Sequence, residues 1–215
     1  TTLTANMTNV STTPIQVTST ADFASSGFLL IENEIIQYTT KTATTFDGTI
    51  TRGVKGTTNV AHTAGVAVTE AAAVTSTTSA AMNIDTVIAS NGITCTVPDS
   101  KVYFTNAGLY NIQFSAQLLN YTTSEDNVTI WLKKNGTDVP YSAGIQQVNS
   151  KHGTSPGAKI IGWNYVDTYA AGNYIELYWA SETGNTVLST YPAGISPVHP
   201  VSPSLILTVT FVSAV

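Results

Sequence analysis

In residues 106–120, NAGLYNIQFSAQLLN, the apolar residues Tyr110, Ile112, Phe114, Ala116 and Leu118 alternate strictly with Asn111, Gln113, Ser115 and Gln117. A period of two belongs to a β-strand and not to a helix, because successive strand side chains point to opposite faces. One face of this strand therefore belongs to a core, while the other is polar and uncharged. A chain of 215 residues is long enough to bury one large all-β core or two smaller ones. Charged residues are 10% of the chain, against about 25% in an ordinary soluble domain. The surface is thus mostly neutral and hydroxyl-rich, or partly covered by partners.

The remainder of the chain repeats the β signature and shows little helical periodicity. Residues 1–68 read as a small N-terminal β domain. Within it Leu29 and Ile31, then Ile35, form the arms of a hairpin around Glu32-Asn33, and Asp47-Gly48 signals a second hairpin. Residues 69–82, TEAAAVTSTTSAAM, have no aromatic residue and read as a linker, with EAAAV able to form one helical turn. Residues 83–215 carry longer strands. Val128, Ile130 and Leu132 share a face before an Asn135-Gly136 turn; Ile175, Leu177 and Trp179 share another after Ala171-Gly172; and Leu205, Leu207, Val209 and Phe211 line the last strand. Several turn-separated strands, each with an apolar face, predict a β-sandwich or jelly roll.

Composition and motifs exclude several functions. The net charge is −5 and Arg52 is the sole arginine, so the basic footprint of a nucleic-acid binder is missing. Cys95 is the single cysteine, which leaves no intrachain disulfide and no multi-cysteine metal site. No stretch approaches the roughly 20 apolar residues of a membrane helix, and TTLTANMTN at the N-terminus lacks the basic and apolar regions of an uncleaved signal peptide. His62, His152 and His199 are far apart, and none has a partner at i+2 or i+4. Glu125-Asp126 reads as a solvated turn and not as the opposed carboxylates of a glycosidase, although Asp126 and Asn127 could offer two oxygens to calcium. The chain has no G-x-S-x-G elbow and no phosphate loop with its lysine. TRGVKGTT, residues 51–58, reads as a glycine-permitted bend with Arg52 free to pair with an acidic group on a neighbouring chain. No enzyme, metal or cofactor is expected.

The aromatic residues carry more information. Alternation places Trp131 opposite Val128, Ile130 and Leu132, and Tyr174 and Tyr178 opposite Ile175, Leu177 and Trp179, while Trp163 and Tyr165 fall opposite Val166. Aromatic enrichment with charge depletion is what interface cores show. Asn111, Gln113, Trp131, Trp163, Tyr165, Tyr174 and Tyr178 are therefore the candidate subunit-interface residues. A sugar-binding platform is the alternative use of the same aromatics.

The series NAGLYNIQFSAQL, VTIWLKKNGTDVP, AAGNYIELYWAS and PSLILTVTF resembles the TNF/C1q-like jelly-roll modules of structural proteins in tailed, especially marine, bacteriophages. GFLLIENEIIQYT followed by TRGVKGTTNVAHTAGVAV resembles a small β module of phage fibre and virion-surface proteins. The resemblance implies a non-enzymatic virion protein whose jelly rolls form a homotrimer. The resemblance leaves the place on the virion open among head decoration proteins, head fibres and tail fibres. A short chain with no long fibrous or coiled-coil stem suits a capsid decoration (cement) protein at the head surface, partnered by the major capsid protein or another virion protein and assembled in the host cytoplasm. Residues 1–68, whose short strands look least able to stand alone, are the expected anchor. A head-fibre or tail-fibre tip that binds host surface glycans is the alternative. Neither reading involves nucleic acid or membrane insertion.

Overall fold

The computed structural model describes residues 1–73, 79–97, 99–191, 193–195 and 197–215, and among these it is all β with no helix. Two sheets face each other across the main core. One is built on the long strand Gly108–Asn120, flanked on one side by Gly157–Ile161 and Asn164–Tyr169 and on the other by Thr186–Ser189 and Leu205–Ser213. The opposing sheet runs Thr137–Asp138, Asp126–Lys134, Tyr174–Ser181, Val102–Phe104, Ile93–Thr94, with Gly144–Val148 beside Asp126–Lys134 and Ala80–Ala81 beside Tyr174–Ser181.

The core between them follows the alternation. Tyr110, Ile112, Phe114, Ala116 and Leu118 pack from one sheet against Val128, Ile130, Leu132, Ile175, Leu177 and Trp179 from the other, all buried. Phe104 stacks on Tyr169 at 4.0 Å between ring centroids, with Tyr110 at 4.6 Å from Phe104. These sheets, with their inner faces interdigitated, make a β-sandwich. The Asn135-Gly136 turn joins Asp126–Lys134 to Thr137–Asp138 as expected, with φ of 52° and 80°. Positive φ at both positions is the backbone that a two-residue hairpin requires, and Asn and Gly tolerate it best.

The N-terminal residues extend the same architecture. Gly27–Ile31 pairs with Glu34–Tyr38 around Glu32-Asn33, and Thr51–Val54 lies beside the second arm. The apolar run of the first arm is buried on both faces. Leu29 and Ile31 join Leu3, Ile15, Val17, Ile36, Tyr38 and Phe46 in a second core, which is closed by a small sheet of Ile15–Gln16, Thr45–Asp47 and Thr40–Lys41. Leu30 points the other way, into a third cluster with Ile35, Ala71, Leu119, Tyr121 and Val187.

Three local expectations are corrected. Asp47-Gly48 makes no hairpin: Gly48 takes a φ of 74°, but the strand before it pairs with Thr40–Lys41 and Ile15–Gln16 while the strand after it pairs with Glu34–Tyr38, so the bend moves the chain between sheets. The EAAAV stretch forms no helical turn over Glu70–Ala73. Nor is the start of residues 69–82 a free connection, because Val68–Ala73 is a strand that pairs with Leu29–Ile31 on one side and Val187–Ser189 on the other. Val74–Thr78 lies outside the described residues. One nine-stranded sheet consequently runs from the N-terminal hairpin to the long sandwich strand.

Truncating Leu30 to Ala should cost about 2–5 kcal/mol, the usual cost of emptying a fully buried leucine site. All three tryptophans, Trp131, Trp163 and Trp179, lie in the sandwich. Their fluorescence should nonetheless report a lowered urea midpoint in Leu30→Ala; an unmoved midpoint would mean that the third cluster does not couple the two parts.

Candidate functional site

Four ionisable side chains converge in the N-terminal part. Glu34 begins the second hairpin arm and is fully buried. Its Oε1 accepts from Arg52 Nε at 2.6 Å and its Oε2 from Arg52 Nη2 at 2.7 Å, a two-pronged pair. The backbone amides of Gly53 and Val60 also donate to it. His62, equally buried, bridges Glu34 Oε2 through Nε2 at 2.8 Å and Glu32 Oε2 through Nδ1 at 2.6 Å. Arg52 thus pairs within its own chain and not with a neighbour. It uses its remaining donors on the carbonyls of Thr8, Ser11 and Val60, which pins the 51–62 loop to the N-terminal segment.

Burial alone would raise the Glu34 carboxyl, but hydrogen bonds from Arg52 and His62 outweigh it and bring the pKa down to about 2. Burial alone would lower His62, but its bonds to Glu34 and Glu32 outweigh that and raise it. The cluster holds no nucleophile, and among the described residues no group of His, Cys, Asp and Glu is arranged to hold a metal. Its chemistry is that of a clasp.

The other acidic expectation is also corrected. Asp126 is buried instead of sitting in a solvated turn. Its carboxylate accepts from Ser181 Oγ at 2.5 Å and from the amides of Thr183 and Thr186 at 3.0 and 2.9 Å. The carboxylate is thus held inward against the turn at residues 181–186. Lys55 bridges the two parts of the chain, with Nζ donating to Gly184 O at 2.8 Å and lying 5.3 Å from the Phe28 ring centroid.

The candidate interface residues separate into three places. Asn111 and Gln113 lie on the outer face of the long-strand sheet. Cross-strand register puts Thr210 and Val166 beside Asn111, Thr208 and Asn164 beside Gln113, Ile206 beside Ser115, and Ile160 beside Gln117. None of these residues is charged. Ile160, Val166 and Ile206 are 67%, 49% and 53% exposed, and Asn111 Oδ1 is buried without a donor. Trp131, Tyr174 and Tyr178 occupy the outer face of the opposite sheet. Trp163 and Tyr165 instead turn toward the core: Trp163 packs edge-on to Phe114 at 4.6 Å, while Val166 is the residue left outside. The sequence reading also missed Tyr141, which is fully exposed at a φ of 62°. Ser142 anchors this loop by accepting from the Leu132 amide at 3.0 Å and donating to Val139 O at 2.8 Å.

Fold and surfaces define an all-β sandwich protein with two exposed sheet faces of different chemistry and an internal charged clasp. Comparison with protein-family models and with curated proteins finds no match to this chain.

The clasp predicts a two-sided pH dependence. Glu34, depressed below its usual 4.5, contributes stability above that value and loses it as pH falls toward 2. His62, raised above its usual 6.5, contributes fully below 6.5 and loses its share as pH rises through the folded value. The stability difference between wild type and His62→Gln should shrink as pH rises above 6.5 in urea titrations; a pH-independent difference would refute the charged clasp. Arg52→Met, which takes away the two-pronged partner of Glu34 and leaves it only His62 and two backbone amides, should cost about 3 kcal/mol near neutral pH.

Proposed function

We propose that this chain is a non-enzymatic structural protein of a phage virion surface, a homotrimer that decorates and cements the capsid head. The observation that carries the self-assembly part of this reading is the uncharged outer face of the long-strand sheet. A water-facing antiparallel sheet ordinarily carries charged side chains. Here four strands present amides, hydroxyls, isoleucines and a valine with no charge among them. Depletion of charge with exposed apolar groups is the composition of an interface core, and Ile160, Val166 and Ile206 are the exposed apolar groups a second copy would cover.

The virion assignment rests on the resemblance of residues 83–215 to TNF/C1q-like phage modules and of the N-terminal part to a virion-surface module. The continuous sheet suits a mechanical role, because load entering at either part passes through backbone hydrogen bonds. Residues 1–68 would face the major capsid protein or another virion component, and the sandwich would project outward. Contacts repeated by symmetry add stability to a shell through mass action on the assembled state. A fibre tip that binds host glycans is the second reading, and the aromatic strip of the opposite sheet is the observation in its favour.

Light scattering at micromolar concentration should return three times the 22.6 kDa chain mass, and the protein should co-sediment with heads that lack it. Gln113→Glu, which places charge at the centre of the uncharged face, should shift the mass toward monomer with an unchanged circular dichroism spectrum. A wild-type monomer that ignores heads would overturn the proposal.

A further inference from the structure

The outer face of the sheet opposite the uncharged one has a different pattern. Register places Trp131 directly across from Tyr178, and Tyr178 across from Ala81. Four residues along the same strand, about 13 Å away at strand rise, Tyr174 lies across from Tyr103. The ring centroids are 5.9 Å apart in the first pair and 5.3 Å in the second. All four side chains belong to half-buried residues. Ala180 and Thr129, which pair with each other beyond Trp131, and Ala81 keep the floor beside the first pair low.

Charged groups are interleaved with these rings. Asp138, whose side chain is 67% exposed, accepts from Trp131 Nε1 at 2.7 Å and lies 3.3 Å from Lys133 Nζ. The same ammonium sits 4.3 Å from the Tyr178 centroid. Lys101 lies 5.1 Å from the Tyr174 centroid, and Glu176, between the two ring pairs, accepts from Ser100 Oγ at 2.7 Å. A protein partner closing over this strip would have to desolvate Asp138 and Lys101 and the remaining exposed part of Lys133, whereas interface cores are depleted of charge. A saccharide has no such difficulty. Its C–H face stacks on an aromatic ring, and its hydroxyls hydrogen-bond to carboxylate and ammonium groups that stay wet at their outer sides.

We infer that the strip Trp131, Tyr178, Tyr174 and Tyr103 is a carbohydrate-binding platform for a neutral oligosaccharide, with Trp131 as the stacking ring and Asp138 and Lys133 as the groups that read hydroxyls. The Trp131 indole N–H is already satisfied by Asp138, which fixes the ring plane and leaves its face for the sugar. Tyr174 and Tyr103 form a second subsite one short oligosaccharide away. The two acidic and two basic groups balance, so nothing in the strip selects for an anionic glycan. The platform is on the sheet opposite the proposed subunit face, so it stands whether or not the chain is a trimer.

The test is an array of immobilised neutral oligosaccharides of three or more units, followed by a fluorescence titration with the best-held member. Wild-type protein should bind. Trp131→Ala should weaken binding about tenfold or more, Trp131→Phe should retain most of it, and both variants should keep the wild-type native mass and melting temperature. Failure to hold any array member, or binding by Trp131→Ala equal to wild type, overturns the platform. A Trp131→Ala variant that falls to a smaller native mass also overturns it and makes the strip a subunit contact.

Discussion

The pairing of Val68–Ala73 with both Leu29–Ile31 and Val187–Ser189 is the constraint on which the rest of the molecule depends. An N-terminal unit of fewer than 70 residues buries too little surface to be secure alone. Here it need not be alone, because its hairpin continues the sandwich sheet and Leu30 and Ile35 share a cluster with Leu119, Tyr121 and Val187. The first hairpin arm can then be apolar on both faces, one turned to its own core and the other to the sandwich. Such a run is what a strand in the middle of a layered structure requires.

The clasp of Glu34, Arg52 and His62 is a local consequence of that arrangement. The 51–62 loop has few apolar residues with which to pack, so it is tied down by directional bonds instead. Buried ion pairs add little net stability compared with apolar packing, but their geometry is exacting and losing one partner is costly. This fits a loop that must hold one shape beside Lys55, whose bond to Gly184 O crosses to the sandwich. The two faces of the sandwich then diverge in chemistry because their inner sides already supply the core, leaving the outer sides free to specialise: one neutral and branched, the other aromatic and charged.

Much of this was legible in the residues. The alternation from Tyr110 to Leu118, the shared faces of Val128, Ile130 and Leu132 and of Ile175, Leu177 and Trp179, and the turns at Glu32-Asn33 and Asn135-Gly136 all appear in the structure where the sequence pattern places them. Strand partners were not legible. Asp47-Gly48 announces a bend, and local chemistry does not say whether the next strand returns to the same sheet. Glu70–Ala73 has no alternation to read, since alanine fits either face, and its strand exists because two edges await it. Trp163 and Tyr165 escaped because the alternation there, unbroken in register across Gly162-Trp163, offers apolar residues to both faces. Ile161, Trp163 and Tyr165 fall on one and Ile160 and Val166 on the other, and the pattern alone does not say which face is inward. The clasp joins residues up to 30 positions apart, beyond any local pattern. A signal was present, however: Glu34 sits in LLIENEII, a charge inside an apolar run that must find a partner if the run is buried.

Native-state hydrogen exchange read by mass spectrometry tests the shared sheet most directly. The amides of Val68–Ala73 should be protected and should open together with those of Leu29–Ile31 and Val187–Ser189, with a common dependence on denaturant, as one cooperative unit does. Exchange of Val68–Ala73 at unprotected rates, with the hairpin and the sandwich opening independently, would contradict the account and leave two domains on a tether.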